Sequence, residues 1–422
     1  MITVVGMDGS PLSPQAEAAL SSATLVVGGR RHLAALPSLA AALPSLAAAH
    51  TGAPHGAGPR TVVLGELAPA LDALAAHEGD AVVLASGDPG FFGIVRALRQ
   101  RGLAAVVLPA VSSVALAFAR VGLPWDDAAV VSAHGRDLRP AVNVCRAQPK
   151  VAVLTGPGTG PAQIGAALAG WDRRLVICEN LGSAAERVTE CSPASAASQT
   201  WADPNVVLVL AGAPPPAGPT FMRNDGAGAA ANEGWALDEA EFDSRGAVIT
   251  KAEVRALALA RLAPAPGTLV WDVGAGSGSV AVECARFGAA VIAVERDGVR
   301  CERIQANAER HAVDVRVVHG EAPGALAGLP APDSVFVGGG GASAVAAVAA
   351  RRPARIVVAL AAIERAGPAV AALSASGYAT AGTLVQAARF APLPGDVHRL
   401  AATNPVFLVW ATAGPQGGET AS

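Results

Sequence analysis

The chain has 422 residues, 52% hydrophobic and 15% charged, with a formal net charge of −3. So apolar a composition excludes a disordered chain, and 47 glycines without a triplet period exclude a collagen-like one. The near-neutral balance leaves no strong basic field for nucleic acid or an anionic membrane, so neither is an expected partner.

Predicted elements in chain order alternate short β-branched runs with Ala-rich helical stretches, as in α/β layering. The first half offers ITVVG, TLVVGG, AVVLASG, AVVLP, AVVSA, VAVLTG, RLVICEN and NVVLVL as strands. Several are apolar throughout, which suits strands covered on both faces. LPSLAA occurs at Leu36–Ala41 and again at Leu43–Ala48, and reads as a local duplication in a surface helix. Pro and Gly dominate from about Ala211 to Trp235 and no apolar period survives there. This sets the expected division: residues 1–212, a linker over 213–236, and residues 237–422. The second half offers LVWDVG, AVIAVE, DVRVVHG, DSVFVGG, RIVVAL, TLVQAARF and PVFLVW. Seven strands with helix-length spacers predict one doubly wound sheet, its last two strands forming an antiparallel edge.

The N-terminus lacks the basic flank and apolar core of a signal peptide, and no stretch reads as membrane-spanning. Five dispersed cysteines form no C-x-x-C, and the eight histidines never approach zinc-ligand spacing. A cytoplasmic protein without a metal site is expected. Only two basic residues are lysines, against 29 arginines, whose planar forks suit carboxylates.

In the second half LVWDVGAGSGS reads as strand, glycine turn and helix, and Gly274, Gly276 and Gly278 admit close approach of a ligand to backbone. Asp272 precedes the loop, and Glu295 closes the next strand, where a carboxylate can accept from ribose hydroxyls. HGEAP at His319–Pro323 ends the third strand. ITKAEVR at Ile249–Arg255, DVGAGSGS, AVE, GEAP and FVGGGG together resemble the class I S-adenosylmethionine (AdoMet) methyltransferases. The resemblance is to the C15-methylating, decarboxylating branch of corrin synthesis. It implies AdoMet contacts at Thr250, Gly274, Ala275, Gly276, Ser277, Gly278, Glu295 and Ala322. Thr250 also fits a helix N-cap in a capping box with Glu253. Gly338, Gly339 and Gly340 are expected to face a planar substrate, with Arg255 as a carboxylate partner. No D/N-P-P-Y box follows the fourth strand, which disfavours amine methylation and fits a carbon nucleophile.

In the first half SGDPGFFG follows the strand AVVLA, an acid–proline pair fixing a tight turn. With VVGMDGSPLS, PAVSS, LTG, ENLG and GGRRHL it resembles the tetrapyrrole (class III) methylases, in particular the C5-methylating corrin branch. That family is two-lobed with AdoMet between the lobes. Carried over by motif, its contacts are Gly87, Asp88, Phe91, Ser112, Ser113, Thr155 and Asn180, with Gly6 on the substrate side. Ser112 and Ser113 serve equally well as helix caps. His134 reads as a structural hydrogen-bonder before a base.

The resemblances imply an α/β protein in which a two-lobed tetrapyrrole-methylase fold precedes a seven-stranded doubly wound class I methyltransferase fold. One AdoMet per half would serve a shared tetrapyrrole (precorrin) substrate, as often in homo-oligomers. The expected activity is methylation of precorrin-6B at C5 and C15 with loss of the C12 acetate carboxyl, giving precorrin-8X. A tetrapyrrole-binding protein with only the C-terminal half active is the alternative. Positioning governs displacement at a sulfonium and the ring carbons are already nucleophilic, so no catalytic triad is expected and no catalytic residue is assigned. Arg30, Arg31, Arg136, Arg245 and Arg255 are candidate partners of the substrate carboxylates.

Overall fold

The computed structural model describes residues 1–34, 59–212, 234–244 and 249–413. Both LPSLAA copies, most of the Pro/Gly-rich segment and Arg245 lie outside the described residues.

The first lobe runs β1 (Ile2–Met7), α1 (Pro14–Ser22), β2 (Leu25–Gly28), β3 (Arg60–Val63), α2 (Leu67–Ala75), β4 (Ala81–Ser86), α3 (Ile94–Gln100) and β5 (Ala105–Leu108). Its sheet has the order β3-β2-β4-β1-β5 and is parallel throughout. Val4, Leu25, Val27 and Val83 are fully buried on one face and Val5, Val26 and Leu84 on the other. This explains why these strands show continuous apolar runs rather than alternation. β3 was not predicted: RTVV is an exposed edge and carries only a weak apolar pattern.

The second lobe begins with α4 (Ser113–Val121), capped by the Ser112 hydroxyl accepting from Ala115 N and ended by Gly122 in the left-handed region. It continues with β6 (Ala129–Ser132), α5 (Leu138–Ala147), β7 (Lys150–Leu154), α6 (Pro161–Ala167), β8 (Arg173–Glu179), β9 (Arg187–Cys191), α7 (Pro193–Ala197) and β10 (Asn205–Ala211). The sheet order is β6-β7-β10-β8-β9, with β10 antiparallel to both neighbours. The polar edge strand β9 also escaped prediction.

The second half opens with α8 (Ala252–Leu262) and continues β11 (Leu269–Val273), α9 (Ser279–Arg286), β12 (Ala290–Glu295), α10 (Gly298–Arg310), β13 (Arg316–His319), β14 (Ser334–Val337), α11 (Gly341–Ala350), β15 (Arg355–Leu360) and α12 (Ala366–Ala375). It closes with β16 (Tyr378–Val385), β17 (Ala388–Leu393), β18 (Val397–Ala402) and β19 (Val406–Ala413). The seven-stranded sheet has the order β13-β12-β11-β14-β15-β19-β16, with β19 antiparallel between β15 and β16. The expected doubly wound sheet and antiparallel edge are therefore present. TLVQAARF is not one strand, however: β16 ends at Val385, and Ala388 starts a separate hairpin, β17–β18.

The predicted capping box at Thr250 is absent. Lys251 is the N-cap residue without a side-chain cap, and Glu253 turns instead to Arg389 on β17. Arg389 also grips Glu239 at 2.6 and 2.9 Å, and this bidentate contact depresses the Glu239 carboxyl to about 2.

The halves meet through α5 and the turn before β8. Arg173 donates to Asp314 at 2.6 Å, Arg139 pairs with Asp333 at 2.7 Å, and Asn143 donates to Gly267 O at 3.0 Å. Trp171 joins the buried cluster of Leu269, Trp271 and Leu326, with the Arg146 and Arg316 guanidinium carbons each within 6 Å of its ring centroid. Gly267, Asp314 and Asp333 all precede strands, so the docking face lies at the amino ends of β11, β13 and β14. Among the described residues no helix is long and apolar enough to cross a membrane, and no cluster of metal-ligating side chains occurs.

Candidate functional site

In the second half the turn after β11 is held open by three glycines in the left-handed region, Gly274 (φ +74°), Gly276 (φ +59°) and Gly278 (φ +77°). A side chain at Gly274 would put its Cβ 2.8 Å from Gly339 N, and one at Gly278 would meet Ile304 at 2.9 Å. Gly274 and Ala275 donate their N–H groups to Val294 O, folding the loop over the end of β12. The Glu295 carboxylate then accepts from Gly276 N at 2.8 Å, and from Arg296 and Asp297 N at 3.0 and 3.1 Å. The loop and the acid predicted from sequence thus meet. Glu295 is almost fully buried, yet its two oxygens retain lone pairs for further donors.

Asp272 lies beneath the same loop. One oxygen accepts from Ala281 N at 3.0 Å; the other is buried without a partner among the described residues. Burial, with a smaller push from Glu295, raises its carboxyl to about 7. An orphaned acid beside an open glycine turn and a buried carboxylate suits a ligand rich in hydroxyl and amino donors. Ser277 is buried, and its carbonyl accepts from Asn307 at 2.8 Å, clamping the loop to α10. Ala322 packs on the sheet core after β13, and Thr250 stands half-buried ahead of α8.

Arg255 departs from its expected role. Its side chain is fully buried, donates to Glu283 at 2.5 Å and to Thr250 O at 2.6 Å, and also bonds Leu237 O. These bonds fasten the segment before α8 onto α9, and the guanidinium has no exposed surface.

Gly338 and Gly339 line a cavity of about 250 Å³ at the carboxyl ends of β14 and β15. Gly340 (φ +87°) does not line it but turns the chain into α11. Sequence reasoning missed Arg365, which stands at this cavity; IERAG reads only as an ordinary helix start.

In the first half the end of β1 presses on two other loops. A Cβ at Gly6 would fall 2.3 Å from Gly87 O and 2.5 Å from Ala110 N. Gly87 (φ +59°) packs against Ser112, and Gly9 and Gly182, both left-handed, bring the first loop against the second lobe. Gly6, Gly87, Ser112 and Ser113 are therefore gathered where the lobes meet, and Asn180 (φ +51°) follows β8 two residues before Gly182. Asp88 accepts from Gly90 N at 2.8 Å, forming the tight turn, and Phe91 leans onto the second lobe's core. Burial works to raise the Asp8 carboxyl, but N–H donors from Ser10 and Val111 outweigh it and leave it lowered. Thr155 is less open than expected: its hydroxyl sits within 2.6 and 2.7 Å of the Asn205 backbone and side-chain oxygens. His134 bonds Thr155 O at 3.0 Å, as a structural histidine would. Arg31 and His32 both reach Ser86, one residue before Gly87. Burial, reinforced by Arg31, lowers His32 to about 4 and so keeps it neutral.

Residues 2–197 match the model of tetrapyrrole (corrin/porphyrin) methylases, and residues 240–412 that of a precorrin methyltransferase domain. A precorrin-6Y C(5,15)-methyltransferase [decarboxylating] of a Sinorhizobium species is 37% identical over 359 residues, covering 81% of this chain and 78% of the relative. The chain belongs to the precorrin-6Y C5,15-methyltransferase (decarboxylating) family. Two single-function relatives match parts of it. A probable cobalt-precorrin-6B C(15)-methyltransferase (decarboxylating) of Pyrobaculum calidifontis is 38% identical, over 42% of this chain and 94% of its own length. A cobalt-precorrin-7 C(5)-methyltransferase of Salmonella typhimurium is 31% identical, over 50% of this chain and 98% of its own. Precorrin-6Y methyltransferases are enzymes of cobalamin synthesis, and methyltransferases of this family use AdoMet as methyl donor.

Proposed function

We propose that the chain methylates precorrin-6B at C5 and C15 and removes the C12 acetate carboxyl, giving precorrin-8X, with one AdoMet bound in each half. The observation that supports this reading is a pair of separate glycine-built turns, one where the N-terminal lobes pack together and one at the carboxyl ends of β11 and β12. The division at residues 1–212 and 237–422 follows from it, each part holding one cleft.

In the C-terminal cleft Glu295 would take the ribose hydroxyls, Asp272 a buried donor, and Gly274 to Gly278 the backbone of the amino-acid moiety. Thr250 and Ala322 would add further contacts to that ligand. In the N-terminal cleft Gly87, Asp88, Phe91, Ser112, Ser113, Thr155 and Asn180 surround the cofactor, with Gly6 toward the substrate. When bound, AdoMet would supply an electrophilic sulfonium methyl, its S–CH3 bond breaking as the ring C–C bond forms and a neutral thioether leaving. The protein's own task is to hold a ring carbon in line with it and to keep water out. The conjugated ring carbon attacks without prior deprotonation, so no strong base is needed beside it. In decarboxylation the acetate C–C bond breaks, CO₂ departs, its electron pair enters the macrocycle, and a proton from solvent completes the new methyl group.

Incubation with precorrin-6B and labelled AdoMet tests the reading. Two methyl groups and one CO₂ per macrocycle are expected. A single methyl with CO₂ would favour the alternative in which only the C-terminal half turns over; no methyl transfer would overturn both.

A further inference from the structure

We infer that Arg365 anchors a carboxylate of the tetrapyrrole that survives the reaction, and so sets substrate affinity in the C-terminal site. The inference rests on the proposed function. Its physical basis is the cavity of about 250 Å³ beyond β14 and β15, walled by Val337, Val345, Val358 and Leu360 and floored by Gly338 and Gly339. Arg365 is the sole charged residue among the lining residues described. Its guanidinium is exposed and makes no hydrogen bond or ion pair with any described residue, unlike Arg255, Arg351 and Arg352 of the same half.

The cavity adjoins the loop that would hold the methyl donor. Gly338 donates to Val273 O at 2.9 Å, and a Cβ on Gly274 would lie 2.8 Å from Gly339 N. A flat apolar ring can therefore lie against backbone there while its charged rim reaches outward. Arg365 sits at that rim with a planar fork matched to a carboxylate.

Chemistry decides which carboxylate it takes. A carboxylate leaving as CO₂ transfers its charge into the macrocycle, so an ion pair at that group would stabilise the ground state more than the transition state. A cation kept free for tight pairing suits a group that stays charged throughout. Arg365 therefore holds a retained acetate or propionate arm.

Full-length Arg365→Ala and Arg365→Lys proteins, assayed with precorrin-6B and labelled AdoMet, test this. For Arg365→Ala the KM for the tetrapyrrole rises about tenfold or more, as expected for losing a charge-assisted pair. The kcat and the ratio of CO₂ to C15 methyl stay at wild-type values, AdoMet titration is unchanged, and Arg365→Lys recovers part of the KM. A KM within twofold of wild type overturns the inference. So does an altered CO₂-to-methyl ratio, which would place Arg365 on the departing carboxylate. Wild-type protein that transfers no methyl at all would instead overturn the proposed function, and this inference with it.

Discussion

Arg173 donates to the Asp314 carboxylate at 2.6 Å across 141 residues of chain, and the two ends of that bond lie in very different surroundings. The arginine side chain is 2% exposed and the aspartate 42%. Arg173 also donates to Cys145 O at 2.8 Å and to Arg146 O, so it closes the end of α5 as well as joining the halves.

Removing either partner therefore has unequal consequences. Arg173→Ala leaves buried carbonyls unpaired and should cost about 3–5 kcal/mol. Asp314→Asn, at the wet end, should cost about 1 kcal/mol or less. Urea unfolding of the two full-length variants measures the difference; equal losses would contradict the assignment.

Glu295 is tested through binding. Glu295→Ala removes the acceptor for Gly276 N and the proposed ribose contact together. Calorimetric titration with AdoMet should fall from two equivalents per chain to one. Both equivalents persisting would show that the carboxylate has no part in the ligand site.

Gly6 offers the matching test in the other half. A valine there must displace Gly87 O and Ala110 N, which an added Cβ would approach to 2.3 and 2.5 Å. Gly6→Val should abolish the C5 methylation while C15 methylation and CO₂ release continue, as read by product mass.

Asp272 predicts a pH dependence. Its folded value of about 7 lies above the roughly 3.9 of an unfolded aspartate, so the folded state binds the proton more tightly. That contribution is complete below about pH 4 and is lost as pH rises through about 7. Asp272→Asn keeps an oxygen for Ala281 N but cannot ionise. The variant should match wild type near pH 4 and exceed it at pH 8 by up to a few kcal/mol, at about 1.4 kcal/mol per pH unit. Thermal unfolding across that range checks the slope; parallel curves would contradict the burial argument.

Arg255 should behave as a structural residue. With Glu283 equally inaccessible, Arg255→Ala strands a buried carboxylate and should cost about 3–5 kcal/mol. At a temperature where the variant remains folded, its KM for the tetrapyrrole should be unchanged. A selective rise in KM would restore the substrate-binding reading.

Patterns within a short window were legible in the sequence, and pairings across long ones were not. LVWDV and AVIAVE are buried throughout and read as strands, and the glycine spacing between them marks the loop and its acid. β3 and β9 were missed because edge strands need no continuous apolar run. The TKAE capping box failed for a different reason. Arg389, 136 residues away, competes for Glu253, and a charge-assisted bidentate contact outweighs a local cap. The substrate reading of Arg255 failed likewise, since Glu283 lies 28 residues on. Arg365 carried no local pattern at all; only the convergence of two strand ends makes it conspicuous.

Docking at the amino ends of β11, β13 and β14 points the C-terminal cleft away from the N-terminal lobes. Under the proposed function, the macrocycle would therefore leave one half before its second methylation in the other. Fusion would then act through proximity, by raising the local concentration of the second centre.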